Sequence, residues 1–248
     1  MTGDGPKVVG AGRATTDLPL LLADLHRSLS VGAPADLALA PQPDDGWSAE
    51  RVVDLLVGAG FIPSGPPVAN GCHITVRATR IRSLPDIVAP DMRLLLVGLN
   101  PSPASADTGI GYARPGNRFW PAVLEADLAS VDRDPRSALA DHGLGMTDLV
   151  RRTTVRADEV DRDEYQNGTA RVERLVRWLR PRAVCFVGLG GWRTVIDRTA
   201  VAGVQPKGFG GRPAYVMPST SGLNAHSRLP DLVDHLRAAG RLADGSPT

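Results

Sequence analysis

Lysine is almost absent from this chain: Lys7 and Lys207 are the only two, so nearly all of the 28 basic residues are arginine. A net charge of +1 argues against a protein that coats nucleic acid. It leaves room for one that touches a short stretch, because the distribution of charge matters more than its sum. Cysteine is as scarce. Cys72 and Cys185 are too few for a four-cysteine zinc or iron–sulfur site and too far apart for a redox pair, which reads both as core residues. The five histidines, His26, His73, His142, His226 and His235, show no metal-ligand spacing, so neither a metal nor any other cofactor is expected. No apolar run approaches the roughly 20 residues needed to cross a bilayer, and the opening Met-Thr-Gly-Asp-Gly has neither the basic nor the apolar region of a signal peptide. The expected compartment is cytoplasmic, a bacterial-type cytosol or nucleoid, with no membrane partner.

Several chemistries lack their motifs. There is no G-x-x-x-x-G-K-[ST] phosphate loop and no G-x-S-x-G nucleophile elbow. Gly188 and Gly190 begin a dinucleotide fingerprint, but Arg193 stands where its third glycine belongs. No repeat of about 20 to 50 residues is visible, which excludes solenoids and propellers.

What is present is strand–helix alternation. Leu94 to Val97 is a continuous apolar run bounded by Gly98, the pattern of a parallel strand covered on both faces. Ala183 to Val187 repeats it, Tyr215 to Met217 makes a third strand, and Gly143 to Val150 holds a short further one. Between them the spacing predicts helices over about 117–128, 168–179, 192–199 and 230–239, the second with Arg171, Arg174, Arg177 and Arg180 outward. The expected fold is α/β: a three-layer α/β/α sandwich with a mainly parallel central sheet over 89–248, preceded by a small N-terminal extension, 1–88, of unknown role. In that extension residues 1–17 read as a loose tail, Leu18 to Leu29 as a short helix and Ala40 to Gly46 as a linker. Ser48 reads as the N-cap of a helix ended by Gly60, and 73–79 as a strand.

Asn100 falls just past the carboxyl end of the first strand, at the rim where open α/β sheets bind ligands. A long loop, 101–115, carries Ser105 and Tyr112 and leads to Asn117-Arg-Phe-Trp120. Far downstream, a Ser- and Gly-rich loop at 218–227 leaves the last strand. The two loops would form a slot with an amide to hold a water, an aromatic face for a flat ring, and a second loop pressing from the other side.

These residues resemble a known family. Gly98-Leu99-Asn100-Pro101, the passage from Tyr112 to Trp120, Gly145-Met-Thr-Asp-Leu-Val-Arg-Arg-Thr-Thr154, and Met217-Pro-Ser-Thr-Ser-Gly-Leu223 follow the ordered motifs of the mismatch-specific uracil-DNA glycosylases and thymine-DNA glycosylases, over residues 94–240. The resemblance implies a monofunctional DNA glycosylase that flips a mismatched or damaged pyrimidine out of double-stranded DNA and hydrolyses its N-glycosidic bond, beginning base excision repair. Uracil in G·U is the first expectation, with thymine in G·T or etheno-cytosine behind it. Asn100 would hold the attacking water. Leu99, Ser102, Ser105 and Tyr112 would line the base pocket, and Leu223 would fill the space the base leaves. Ser219, Ser221, Gly222, Asn224, His226, Arg228, Arg114 and Arg118 would contact the strands. A lyase needs an amine nucleophile, and Lys207 is the only lysine in this region. A monomer is expected. Two departures keep other readings open: Ser102 stands where much of the family has glycine, and the last motif mixes thymine-type and uracil-type features. A DNA-binding module with an inactive or altered pocket, such as a hypoxanthine-preferring one, therefore remains an alternative. So does a small-molecule nucleotide enzyme using Gly188 to Gly191.

Overall fold

A computed structural model of the chain describes residues 5–245, apart from the side chain of Ala157. The chain divides into two compact units, which meet in sequence at Asp86 and Ile87.

The first unit builds a five-stranded sheet from β1 (Lys7–Val9), β2 (Pro34–Leu39), β3 (Phe61–Pro63), β4 (Val68–Asn70) and β5 (His73–Arg80), with helices α1 (Leu18–Ser28) and α2 (Ala49–Gly58). β5 is its organising strand, pairing antiparallel with β2, β3 and β4. Its Ile74, Val76 and Ala78 are buried while His73 and Arg77 are exposed, the alternation of a half-covered strand. Ser48 caps α2 by accepting the Arg51 N–H. Three expectations are corrected here. Cys72, read as a core residue, is exposed. The segment read as a loose tail contains β1, which pairs parallel with β2. The segment read as a linker is woven into the unit: Gln42 N–H donates to the Arg13 carbonyl, and the Thr15 hydroxyl donates to Asp44.

The second unit carries β6 (Leu94–Gly98), α3 (Pro103–Thr108), α4 (Phe119–Glu125), α5 (Pro135–His142), β7 (Leu144–Asp148), α6 (Arg162–Leu179), β8 (Ala183–Val187), α7 (Leu189–Val195), β9 (Gly203–Val204), β10 (Ala214–Met217) and α8 (Leu229–Ala243). Its sheet runs β7-β6-β8-β10-β9. The first four strands are parallel and β9 is antiparallel at the edge, so the sheet is mixed. On one face Leu94, Leu96, Cys185 and Met217 pack with Phe119, Trp120, Leu232 and Leu236 of α4 and α8. On the other, Phe186 meets Trp192 of α7 edge-on at 4.8 Å. Three layers result.

α3 lies where the sequence suggested loop, and α5 in a stretch given no element there. Both carry a start signal, Ser102-Pro103 and Asp134-Pro135, in which a side-chain cap is followed by a proline at the first helical position. α6 starts six residues earlier than the apolar spacing suggests, because Asp161 and Glu164 form a reciprocal capping box.

The outward arginine row of α6 is also corrected. Arg177 and Arg180 are exposed, but Arg171 is buried and donates to the Thr147 hydroxyl at 3.1 Å and the Asp148 carbonyl at 2.9 Å. Helical spacing places Arg171 near the inward stripe, and the polar end of β7 gives its guanidinium acceptors there. Arg171→Ala should cost about 2–4 kcal/mol in urea unfolding, since it leaves buried acceptors without their charged donor. Arg177→Ala, which removes only an exposed pair with Glu173, should cost well under about 1 kcal/mol.

Candidate active site at the carboxyl rim

Adjacent strand ends set the site. β6 and β7 run in register to Gly98 opposite Asp148, and the chain continues the pairing beyond the sheet. Leu149 N–H donates to the Gly98 carbonyl, Val150 N–H to Leu99 and Thr154 N–H to Pro101. The loop leaving β7 is thereby laid along the loop leaving β6.

Asn100 sits inside this junction. Its Nδ2 donates to the Arg152 carbonyl at 3.1 Å and to the Thr154 Oγ1 at 2.7 Å. A backbone carbonyl only accepts, so the amide face toward Arg152 must be the NH2, and its orientation is fixed by chemistry. The Thr154 hydroxyl sends its own proton to the Arg156 carbonyl at 2.7 Å and therefore presents a lone pair to Asn100. Both amide protons are spent on this loop, and Oδ1 is the acceptor that remains to orient a water. Arg152 is itself held, since its guanidinium forks onto Glu164 with two bonds of 2.7 Å. That pairing holds the Glu164 carboxyl below the usual carboxylate range.

Tyr112 provides the flat surface. Its backbone is left-handed, φ 60°, and its ring stacks on Phe119 at 3.8 Å and 16°, which covers one face. Ser105 braces this loop. Its buried Oγ accepts the Ala113 N–H at 3.3 Å and pairs with the Ser102 Oγ at 3.1 Å, while Ser102 caps α3 by accepting the Ser105 N–H. Leu99 directs its side chain toward Gly191 at the start of α7, and its carbonyl accepts the Val150 N–H.

Asp148 is the residue that sequence reading missed. A Cβ built on Gly98 would stand 2.1 Å from Asp148 Oδ1 and 3.1 Å from the Tyr112 hydroxyl, so the carboxylate and the phenol both occupy space that only a glycine leaves. Its signal was available: a polar residue ending a buried strand, the same logic that singles out Asn100. Burial pushes the Tyr112 hydroxyl well above its ordinary value, and the charges of Asp148 and Cys185 push it further.

The second loop, 218–227, brings the remaining predicted residues together. Leu223 is 80% exposed at a tip folded by short turns. Ser221 N–H donates to Ser219 Oγ and Leu223 N–H to Ser221 Oγ, both at 3.3 Å. Asn224 Nδ2 donates to the Ser219 carbonyl at 2.8 Å, and its Oδ1 accepts the His226 N–H. Arg114, His226 and Arg228 are exposed. Arg118 is different. Its guanidinium donates to the Ser221 and Asn224 carbonyls at 2.8 Å each and to the Ser227 carbonyl, so the protein's own loop takes the groups expected to meet phosphate.

The carboxyl rim of a mainly parallel sheet thus carries Asn100 with its NH2 held by the neighbouring loop, the Tyr112 ring stacked on Phe119, and the exposed Leu223. The sequence pattern of the uracil DNA glycosylase superfamily matches residues 85–239, and the chain belongs to that superfamily of DNA glycosylases. Among solved structures it is similar to a candidate uracil DNA glycosylase from Methanosarcina acetivorans. The likeness is 20% identity and a TM-score of 0.46, over 65% of this chain and 97% of that one.

All three tyrosines of the chain are displaced upward: Tyr112 as above, Tyr165 by burial and by Glu164, and Tyr215 mainly by burial, to about 12. Unfolded tyrosine ionises near 10. Their contribution to stability is therefore complete below pH 10 and lost as pH rises toward the folded values. A spectrophotometric titration of the native protein should show little tyrosinate at pH 10, and the absorbance rise should coincide with alkaline unfolding.

Proposed function

We propose that this chain is a monofunctional glycosylase that removes uracil from G·U mismatches in double-stranded DNA. The observation that carries the reading is the fixed polarity of Asn100, whose NH2 is held by the Arg152 carbonyl and Thr154 Oγ1 and whose Oδ1 is left to orient a water. A base buried in the duplex must first be extruded, at a cost of a few kcal/mol that is smallest for mismatches. It would then stack on Tyr112 while Leu223 occupies the vacated space. Exposed Arg114 and Arg228 would meet phosphates.

In the chemical step the water oxygen bonds to C1′ as the bond from C1′ to the base breaks; the base leaves with the electron pair, and the proton shed by the added water ends on the base anion by way of solvent. An amide cannot take the water's proton, so Asn100 supplies position and not base catalysis. Such a site suits bases that already leave as stable anions, and uracil leaves more readily than thymine. On that ground G·U ranks ahead of G·T, with etheno-cytosine opposite guanine as the third lesion that the family resemblance offers.

Single-turnover assays on duplexes carrying these three lesions test the reading. Wild-type enzyme should leave an abasic site fastest in G·U, and Asn100→Ala should lose roughly 100-fold or more. Duplex binding without any product would instead identify a binding module. Thr154→Val, which keeps the shape but removes the lone pair that orients the amide, should slow the chemical step about 10-fold with substrate affinity unchanged. Thr154→Ser should restore it.

A further inference from the structure

A leucine that is 80% exposed on a loop tip makes a poor wedge if the loop beneath it must be ordered each time it enters DNA. This loop is held from both sides of the tip by one residue. Arg118 donates to the Ser221 carbonyl before Leu223 and to the Asn224 and Ser227 carbonyls after it. Its backbone N–H adds a bond to the Thr220 carbonyl at 3.0 Å. Close approach locks the same place: a Cβ on Gly222 would stand 2.7 Å from the Gly116 carbonyl oxygen. Arg118 is also the residue immediately before α4, and the first residue of that helix, Phe119, lies under the Tyr112 ring.

We propose that Arg118 is a positioning residue, which presets the 219–227 loop as a rigid wedge and couples it to the aromatic platform of the base pocket. The proposal rests on the glycosylase reading above and assigns Arg118 to extrusion of the base, not to phosphate binding or to the hydrolytic step. The planar guanidinium fork serves three carbonyls at once, which a lysine ammonium on a flexible stem does not reproduce. Without the fork, the loop must be ordered at the moment of insertion, and the binding energy spent on ordering is lost to extrusion.

The test compares wild type, Arg118→Lys, Arg118→Ala and Leu223→Ala on two duplexes. One carries G·U. The other carries a pyrene nucleotide opposite uracil, whose flat ring fills the space of the extruded base and makes a protein wedge unnecessary. On G·U the variants should lose about 10- to 100-fold in kcat/KM. On the pyrene duplex Arg118→Lys and Leu223→Ala should return to within a few-fold of wild type. Equal losses on both duplexes would overturn the proposal by showing that Arg118 supports the pocket itself, and an undiminished Arg118→Lys rate on G·U would overturn it directly. Thermal melting identifies any variant that fails to fold, and Arg118→Lys, which keeps charge and bulk, guards against that outcome for Arg118→Ala. Fluorescence of 2-aminopurine placed beside the mismatched uracil reports extrusion without chemistry. Should wild type release no base from either duplex, the glycosylase reading fails. The positioning role is then decided by whether the fluorescence rise seen with wild type disappears in Arg118→Lys.

Discussion

The in-register parallel pairing of β6 with β7, carried past the sheet into the loops at 98–101 and 149–154, is the constraint on which the rim depends. Parallel strands ordinarily diverge at their ends and leave a crevice. Here three further backbone bonds, to Gly98, Leu99 and Pro101, keep the two loops together before they part. Thr154 and the Arg152 carbonyl reach Asn100 only because of that pairing. The Asn100 side-chain oxygen is thus aimed by backbone geometry and not by the asparagine's own rotamer preference. The same register sets Asp148 against Gly98, where a side chain at 98 would displace it.

The two halves of the rim are stabilised differently. Around Asn100 the polar groups are satisfied by one another and by α6, through the fork between Arg152 and Glu164. That arrangement suits a site whose geometry must not drift by an ångström. Around Leu223 the polar side chains fold their own loop, and an apolar tip is left in water. The aromatic pair of Tyr112 and Phe119 stands between the two halves, joined to the first by Ser105 and to the second by Arg118.

Much of the second unit was legible in sequence, because buried parallel strands write themselves as continuous apolar runs. Leu94 to Gly98 and Ala183 to Val187 show this. Short helices with little apolar periodicity were not legible that way. α3 and α5 are announced only by a cap and a proline, which reading by periodicity passes over. β1 and β9 are three and two residues long, too short for any alternation to register, and depend on partners distant in sequence. In the site, residue types were legible but allegiances were not. Arg118 and Arg171 are arginines like any other until the fold shows carbonyls facing their guanidinium groups. Asp148 carried a sequence signal, a polar residue ending a buried strand, but its closeness to Gly98 and the Tyr112 hydroxyl came only with the strand pairing.

The 219–227 loop runs directly into α8, whose Leu232, Val233, Leu236 and Ala239 are buried in the sheet's core. At the far end of that helix Asp244 is gripped by Arg93, at the foot of β6, through two bonds of 2.9 and 2.7 Å. A force applied at Leu223 therefore has a rigid strut behind it. If Leu223 acts as the proposed wedge, load on it would pass along α8 to Arg93, the residue before the strand that leads to Asn100.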